Sequence, residues 1–359
     1  MFEKTKALCD SFLDKGIPGF DMIVYRDGQE VFRYFGGYSD REKQTPVRGD
    51  ERYYIYSCTK PITVTCAMQL FEQGKFSLDD PVSKYLPEFT HMQVKTEDGL
   101  VDAQRPILVR HLFTMTAGIV RTRQKILNSL GDPTLREAMK AFAREPLEFQ
   151  PGDRYQYSLN HDVLGALIEI WSGESFQDYA KNHIFDPLGM KDTTYKLSVE
   201  DIPKLAVLYK WDKESGLILR EEVTQEQVNK KYVCGGAGVV STVTDYIKFC
   251  EALREGEKLL KRETIRLMTQ DHLTPWQKRF NWKDKPHSYG LGMRVPSRDP
   301  HTEIRDWVDF GWSGMAGAFM AVDIPNKVTM FYVQHVKDPP NNDKKALTYR
   351  YALEDMGLV

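Results

Sequence analysis

The feature that most constrains this chain is the placement of its strands: β-rich runs lie near both ends, and a long helical stretch separates them. Phe20 to Tyr25 and Glu30 to Tyr34 are strand-like, and Arg26-Asp27-Gly28 joins them. An Asp-Gly pair between two such runs is a strong hairpin signal. Strand character then returns only at Tyr289 to Val295, Ala316 to Val322 and Val328 to Val336, the last two joined by the turn Asp323-Ile324-Pro325-Asn326. From about residue 80 to 230 the patterns are helical and broken by Pro and Gly. They are clearest over Leu135 to Arg144, His161 to Trp171 and Phe176 to Ile184. The expected fold class is therefore α/β (α+β): an antiparallel sheet built from both chain ends, flanked by helices, with a mainly helical insertion. A sheet-containing subdomain of about 1–75 plus 232–359 and a helical subdomain of about 76–231 would form one unit. The crevice between them is the expected binding site.

The ends themselves read as helices. Near the N-terminus Phe2, Leu8, Phe12 and Leu13 fit one helical face, and a last helix covers roughly Lys344 to Met356. Glu3, Lys4, Lys6, Asp10, Asp14 and Lys15 interrupt the N-terminal apolar residues, so there is no signal-peptide core. No apolar run approaches the ~20 residues needed to span a bilayer. A soluble, cytoplasmic protein without a membrane span is the expectation. The charges nearly cancel, 49 Lys plus Arg against 51 Asp plus Glu, which speaks against a nucleic-acid partner. The basic and aromatic run Gln277 to Lys283, ended by Asp284, reads as a solvated loop. Cys9, Cys58, Cys66, Cys234 and Cys250 are odd in number and irregular in spacing. They fit buried free thiols better than disulfides or a zinc site. Neither a metal nor an organic cofactor is implied, and the oligomeric state is not legible.

Chemistry concentrates in Tyr56-Ser57-Cys58-Thr59-Lys60-Pro61, where a helix begins that carries Ile62, Cys66, Met68, Leu70 and Phe71 and ends at Gly74. A Ser and a Lys three residues apart share a helix face. The first turn also offers unpaired N–H groups and a positive dipole end, which favour a developing alkoxide. A protonated lysine is a poor base, so burial or a neighbouring positive charge would have to lower its pKa.

A second segment, Tyr155-Gln156-Tyr157-Ser158-Leu159-Asn160-His161-Asp162-Val163-Leu164-Gly165, adds a tyrosine and an asparagine. Together, the two segments resemble the serine β-lactamase and penicillin-binding-protein family: class C β-lactamases, D-alanyl-D-alanine peptidases and esterases of the same fold. The resemblance implies Ser57 as nucleophile, with Lys60 and Tyr157 as its proton-handling partners. Tyr155 is the competing tyrosine, and the spacing to Val163-Leu164-Gly165 favours Tyr157. The lactamases carry Asn two residues after the Tyr, where this chain has Leu159, and Asn160 comes one position late.

A third segment, Phe310-Gly311-Trp312-Ser313-Gly314-Met315-Ala316-Gly317, matches by position the family strand that borders the substrate. The resemblance implies that Trp312, Ser313 and Gly314 line the substrate, and that the N–H groups of Met315 and Ser57 form the oxyanion hole. Trp312 stands where the lactamases place a cation, so a neutral ester or amide suits this site better than a β-lactam carboxylate. Arg110 to Gly118, Asp186 to Met190 and Gly235 to Thr242 extend the resemblance. Within them His111 reads as structural, and Gly235 to Gly238 as a tight turn into a helix capped by Thr242 with Asp245 three residues on.

The reading is a hydrolase of small-molecule esters, amides or lactams, with a carboxylesterase placed first. A β-lactamase or D-amino-acid peptidase is the alternative. A non-catalytic binding module on the same fold is the reading from another class.

Overall fold

The computed structural model describes residues 1–122, 124–221, 230–283, 285–297, 308–342 and 344–359. At its centre is a five-stranded antiparallel sheet of β1 (Gly19–Arg26), β2 (Gln29–Asp40), β3 (Thr45–Pro46), β4 (Phe319–Asp323) and β5 (Val328–Val333). The order β4-β5-β1-β2-β3 places the late strand β5 beside β1, with Ile23 opposite Phe331. Both chain ends thus build one sheet, as expected. Asp27 and Gly28, at φ 51° and 79°, make the turn between β1 and β2.

Both faces of the sheet are covered, which explains why every residue of β5 is buried. On one face Met22, Val24, Met330 and Tyr332 pack with Phe12 of α1 (Glu3–Asp14) and Tyr349 of a C-terminal helix, Lys345–Asp355. On the other, Ile23, Phe331 and Val333 meet Tyr246 and Phe249 of the helix Val243–Glu255. Thr242 caps that helix by accepting the Asp245 N–H (3.0 Å). A buried polar pair lies among the apolar strands: Asp21 on β1 is fully buried and is held by Arg33 on β2, whose guanidinium also donates to Gly49 O (2.8 Å).

Helix α2 (Thr59–Glu72), which follows Ser57, packs against α3 (Asn160–Ser172), and together they carry the core of the helical part. All five cysteines are free and buried. Among the described residues no helix is long and apolar enough to cross a membrane.

Several elements differ from the sequence expectation. Tyr289 to Val295 is not one strand: His287–Tyr289 and Arg294–Pro296 form a hairpin, because Gly290 and Gly292 turn the chain between them. Leu208–Trp211 and Ile218–Glu221 form a hairpin inside the stretch read as helical, and Val336–Lys337 pairs in parallel with its first strand. Gln93–Thr96 and Gly99–Asp102 form another. The run 277–283 is not wholly solvated, since Lys278 is buried in an ion pair with Asp271 (2.6 Å) and Trp282 is buried too. Asp284 lies outside the described residues.

Candidate active site

The site begins with a bend. Tyr53–Tyr54 pairs with Val240–Ser241, and Ile55 N–H donates to Val239 O (3.1 Å). Tyr56 then takes φ 47°, a left-handed conformation unusual for an aromatic residue. A short 3₁₀ turn, Tyr56–Cys58, follows and leads into α2, so Ser57 stands on the opening turn. Strained backbone of this kind concentrates where a side chain must be aimed.

Lys60 lies one turn on and is 3% exposed. Its ammonium donates to Ser57 Oγ (3.2 Å) and to Gly236 O (2.6 Å), and it stands 4.5 Å from the centroid of the Tyr157 ring. The Tyr157 hydroxyl donates to Ser57 Oγ at 2.7 Å. Trp312 Nε1–H donates in turn to the Tyr157 hydroxyl (3.3 Å), and the two rings stack at 5.7 Å. Lys60 of α2 and Tyr157 from the segment before α3 thus converge on one oxygen, Ser57 Oγ. The competing Tyr155 is buried instead, edge-on to Trp282 and Tyr289.

Phe310 to Ser313 runs along the edge of β4, with Phe310 bridging Val322 and Ser313 bridging Phe319. Cys58 Sγ contacts Trp312 O (3.7 Å), which fastens the start of α2 to this edge. Gly314 passes so close to the segment before Ser57 that a Cβ there would stand 2.4 Å from Ile55 O. The absent side chain is a steric requirement at that point. Met315 is 43% exposed, and among the described residues its N–H has no hydrogen-bond acceptor. Asn160 is not brought to the cleft. It is fully buried in the first turn of α3, where its amide donates to Met115 Sδ (3.4 Å). His111 accepts the Leu108 N–H at Nδ1 (3.1 Å), and burial pushes its pKa down to about 4, so it is a neutral local brace.

A family model described as Beta-lactamase matches residues 5–354. The chain belongs to the β-lactamase family. Protein Rv1367c of Mycobacterium tuberculosis is 30% identical over 333 residues, covering 84% of this chain and 82% of that one. Esterase EstB of Burkholderia gladioli is 29% identical over 281 residues, 70% of this chain and 69% of the relative. Among solved structures, EstCE1, described as a hydrolase with promiscuous acyltransferase activity, superposes with a TM-score of 0.82. It is 25% identical, and the match covers 98% of this chain and 97% of that one.

Three features of this β-lactamase-family site were not legible beforehand. Gly236 supplies the carbonyl that holds Lys60, and a Cβ on it would sit 3.3 Å from Lys60 Nζ and 3.7 Å from Asp162 Oδ2. The glycine run was a visible signal of close approach, but its neighbour was not. His161, fully buried, is held neutral by burial and then by the Lys60 charge. Behind the Phe310–Ser313 edge, Lys345 donates to Gly314 O (3.4 Å) and Asn342 Oδ1 (2.7 Å). Among the described residues no cluster of His, Cys, Asp and Glu could hold a metal ion.

Proposed function

We propose that this protein is a serine hydrolase that forms an acyl-enzyme on Ser57, with carboxylic esters as its preferred substrates. The observation that carries the reading is the convergence on Ser57 Oγ of the Tyr157 hydroxyl at 2.7 Å and the Lys60 ammonium at 3.2 Å. A serine hydroxyl becomes a nucleophile when a partner within hydrogen-bond reach takes its proton. Here that partner is the Tyr157–Lys60 pair in the form that has lost one proton, with the Tyr157 oxygen as a phenolate beside the Lys60 ammonium. Ser57 Oγ attacks the carbonyl carbon, its proton passes to the pair, and the N–H groups of Ser57 and Met315 stabilise the oxyanion. As the intermediate collapses, Tyr157 delivers the proton to the departing alkoxide. A water, deprotonated by the same pair, then cleaves the acyl-enzyme to release the acid and restore Ser57.

Esters rather than β-lactams are supported by Trp312, which offers one N–H and an apolar face but no charge, and by the inward turn of Asn160. The esterase and hydrolase names of two relatives point the same way. The test is intact-protein mass after a fluorophosphonate probe, wild type beside Ser57→Ala. One adduct on wild type alone is expected, and no adduct on folded wild type would favour the binding-module reading. Turnover of 4-nitrophenyl butyrate well above that of nitrocefin is the second expected result; the reverse order would return the β-lactamase reading to first place.

A further inference from the structure

Beside Tyr157 a cavity of about 270 Å³ opens between the 148–157 segment and the turn at Phe280. Its walls include Phe149, Tyr155 and Phe280, and its charged groups are Arg121, Arg154 and Glu148. Two guanidinium groups against one carboxylate leave it with a net charge of +1 at neutral pH. The Arg154 guanidinium lies over the Phe280 ring at 5.2 Å and beside Phe149 at 6.0 Å. Among the described residues neither Arg154 nor Arg121 makes an ion pair. A guanidinium stacked between aromatic rings is pre-oriented and keeps its N–H edge free for a planar anion.

The walls are anchored on both sides. Gln156 N–H donates to Met115 O (2.8 Å), and Gln277 Nε2 donates to Gly152 O (2.6 Å), which ties the Phe280 turn to the opposite wall. If Tyr157 hands its proton to the departing oxygen, the leaving group departs on Tyr157's side of the carbonyl, into this cavity. Trp312 itself carries no charge, whereas Arg121 and Arg154 place positive charge on the Tyr157 side, where the leaving group would depart.

We propose that the cavity lined by Arg154, Arg121 and Phe280 is the leaving-group subsite. It would receive an alcohol or phenol that carries a single carboxylate, preferably on an aromatic ring. The assignment rests on the Ser57 hydrolase reading. The carboxylate pairs with the guanidinium edges, as charge-assisted planar pairs do, while the ring packs against Phe280 and Tyr155.

Two measurements test it separately from that reading. The first compares kcat/KM for 3-(butanoyloxy)benzoate with that for the neutral isostere 3-(butanoyloxy)benzamide. In wild type the anionic ester is preferred, and in Arg154→Gln that preference falls about tenfold, the usual effect of losing a charge-assisted hydrogen bond. Arg154→Lys restores part of it. The second measures binding of 3-hydroxybenzoate to Ser57→Ala by calorimetry, which needs no turnover. Binding tighter than that of 3-hydroxybenzamide, and weakened about tenfold when Arg154→Gln is added, is expected. Esters turned over with an unchanged preference in a folded Arg154→Gln would overturn the subsite and leave the hydrolase standing. Arg154-dependent binding in a protein that hydrolyses no ester would do the opposite.

Discussion

Two lysines lie buried near Ser57 and Gly314, and of the two only Lys60 touches Ser57, the proposed nucleophile. Lys60 and Lys345 are 3% and 7% exposed, and each gives its ammonium hydrogens to neutral acceptors. Lys60 reaches Ser57 Oγ, Gly236 O and the face of Tyr157, all within the site. Lys345 reaches Gly314 O and Asn342 from behind the strand, and burial pushes its ammonium down to about 8. The contrast teaches that burial alone does not mark a working amine. Contact with a group that must lose a proton does.

The sharpest test of that contrast replaces each lysine by Met. Lys60→Met should lower kcat on 4-nitrophenyl butyrate by about 10³-fold or more, as should Tyr157→Phe, since each removes a partner in proton transfer. Lys345→Met should cost less than about tenfold in kcat. Equal losses at the two lysines would break the distinction.

Stability should respond in the opposite order. The pKa of Lys345, about 8 in the folded protein, lies below its ordinary value of 10.5. Between those pH values the unfolded chain binds more protons, so folding stability rises with pH through that window. Below pH 8 the full penalty of keeping a buried cation is present, on the order of 3 kcal/mol. Lys345→Met should therefore be as stable as wild type or more so at pH 7. The wild-type advantage gained between pH 7 and 9.5 should be absent from the variant. Urea unfolding at the two pH values reads both, and parallel curves would refute the assignment.

Smaller effects probe the neighbours. Gly236→Ala should lower kcat about 10-fold to 100-fold, because its Cβ must push the Lys60 ammonium from a position 3.3 Å away. Kinetics with 4-nitrophenyl butyrate and a check on the folded state would separate displacement from unfolding. Trp312→Phe removes the N–H that meets the Tyr157 hydroxyl but keeps the ring stack, so a loss of only about 2-fold to 10-fold in kcat/KM is expected.

Much of the molecule was legible because local chemistry and position agreed. The Asp27-Gly28 turn, the flanking strands and the helix after Ser57 carry short-range signals, and the structure realises each. Ser57 and Lys60 share a helix spacing, and Tyr157 was singled out by the resemblance to the β-lactamase family; the Lys60 and Tyr157 side chains both reach Ser57 Oγ. What escaped were relations between distant segments. Nothing in the glycine run at Gly235 to Gly238 says that its carbonyl faces Lys60, 176 residues away in sequence. Nothing around Tyr56 announces its positive φ. Asn160 fell one position late for the family pattern, and on a helix one position rotates a side chain by about 100°, enough to carry its amide inward to Met115. The hairpin at residues 208–221 was hidden because its strands are four residues each and find their partner at Val336.

The pairing of β5 with β1 also governs the order in which the molecule can be made. Ribosomal synthesis delivers β1 and β2 about three hundred residues before Val328–Val333 leaves the exit tunnel. Until then the central edge of β1 is open, and the helix bearing Ser57 has been made without the Phe310–Met315 edge that completes its cleft. The first and last helices meet through Lys4 with Glu354 and Thr5 with Asp355, so closure is written into the final turns of the chain. Such long-range pairing favours slow, late and concerted acquisition of structure, and a nascent chain of this design would need protection from edge-to-edge association while it waits.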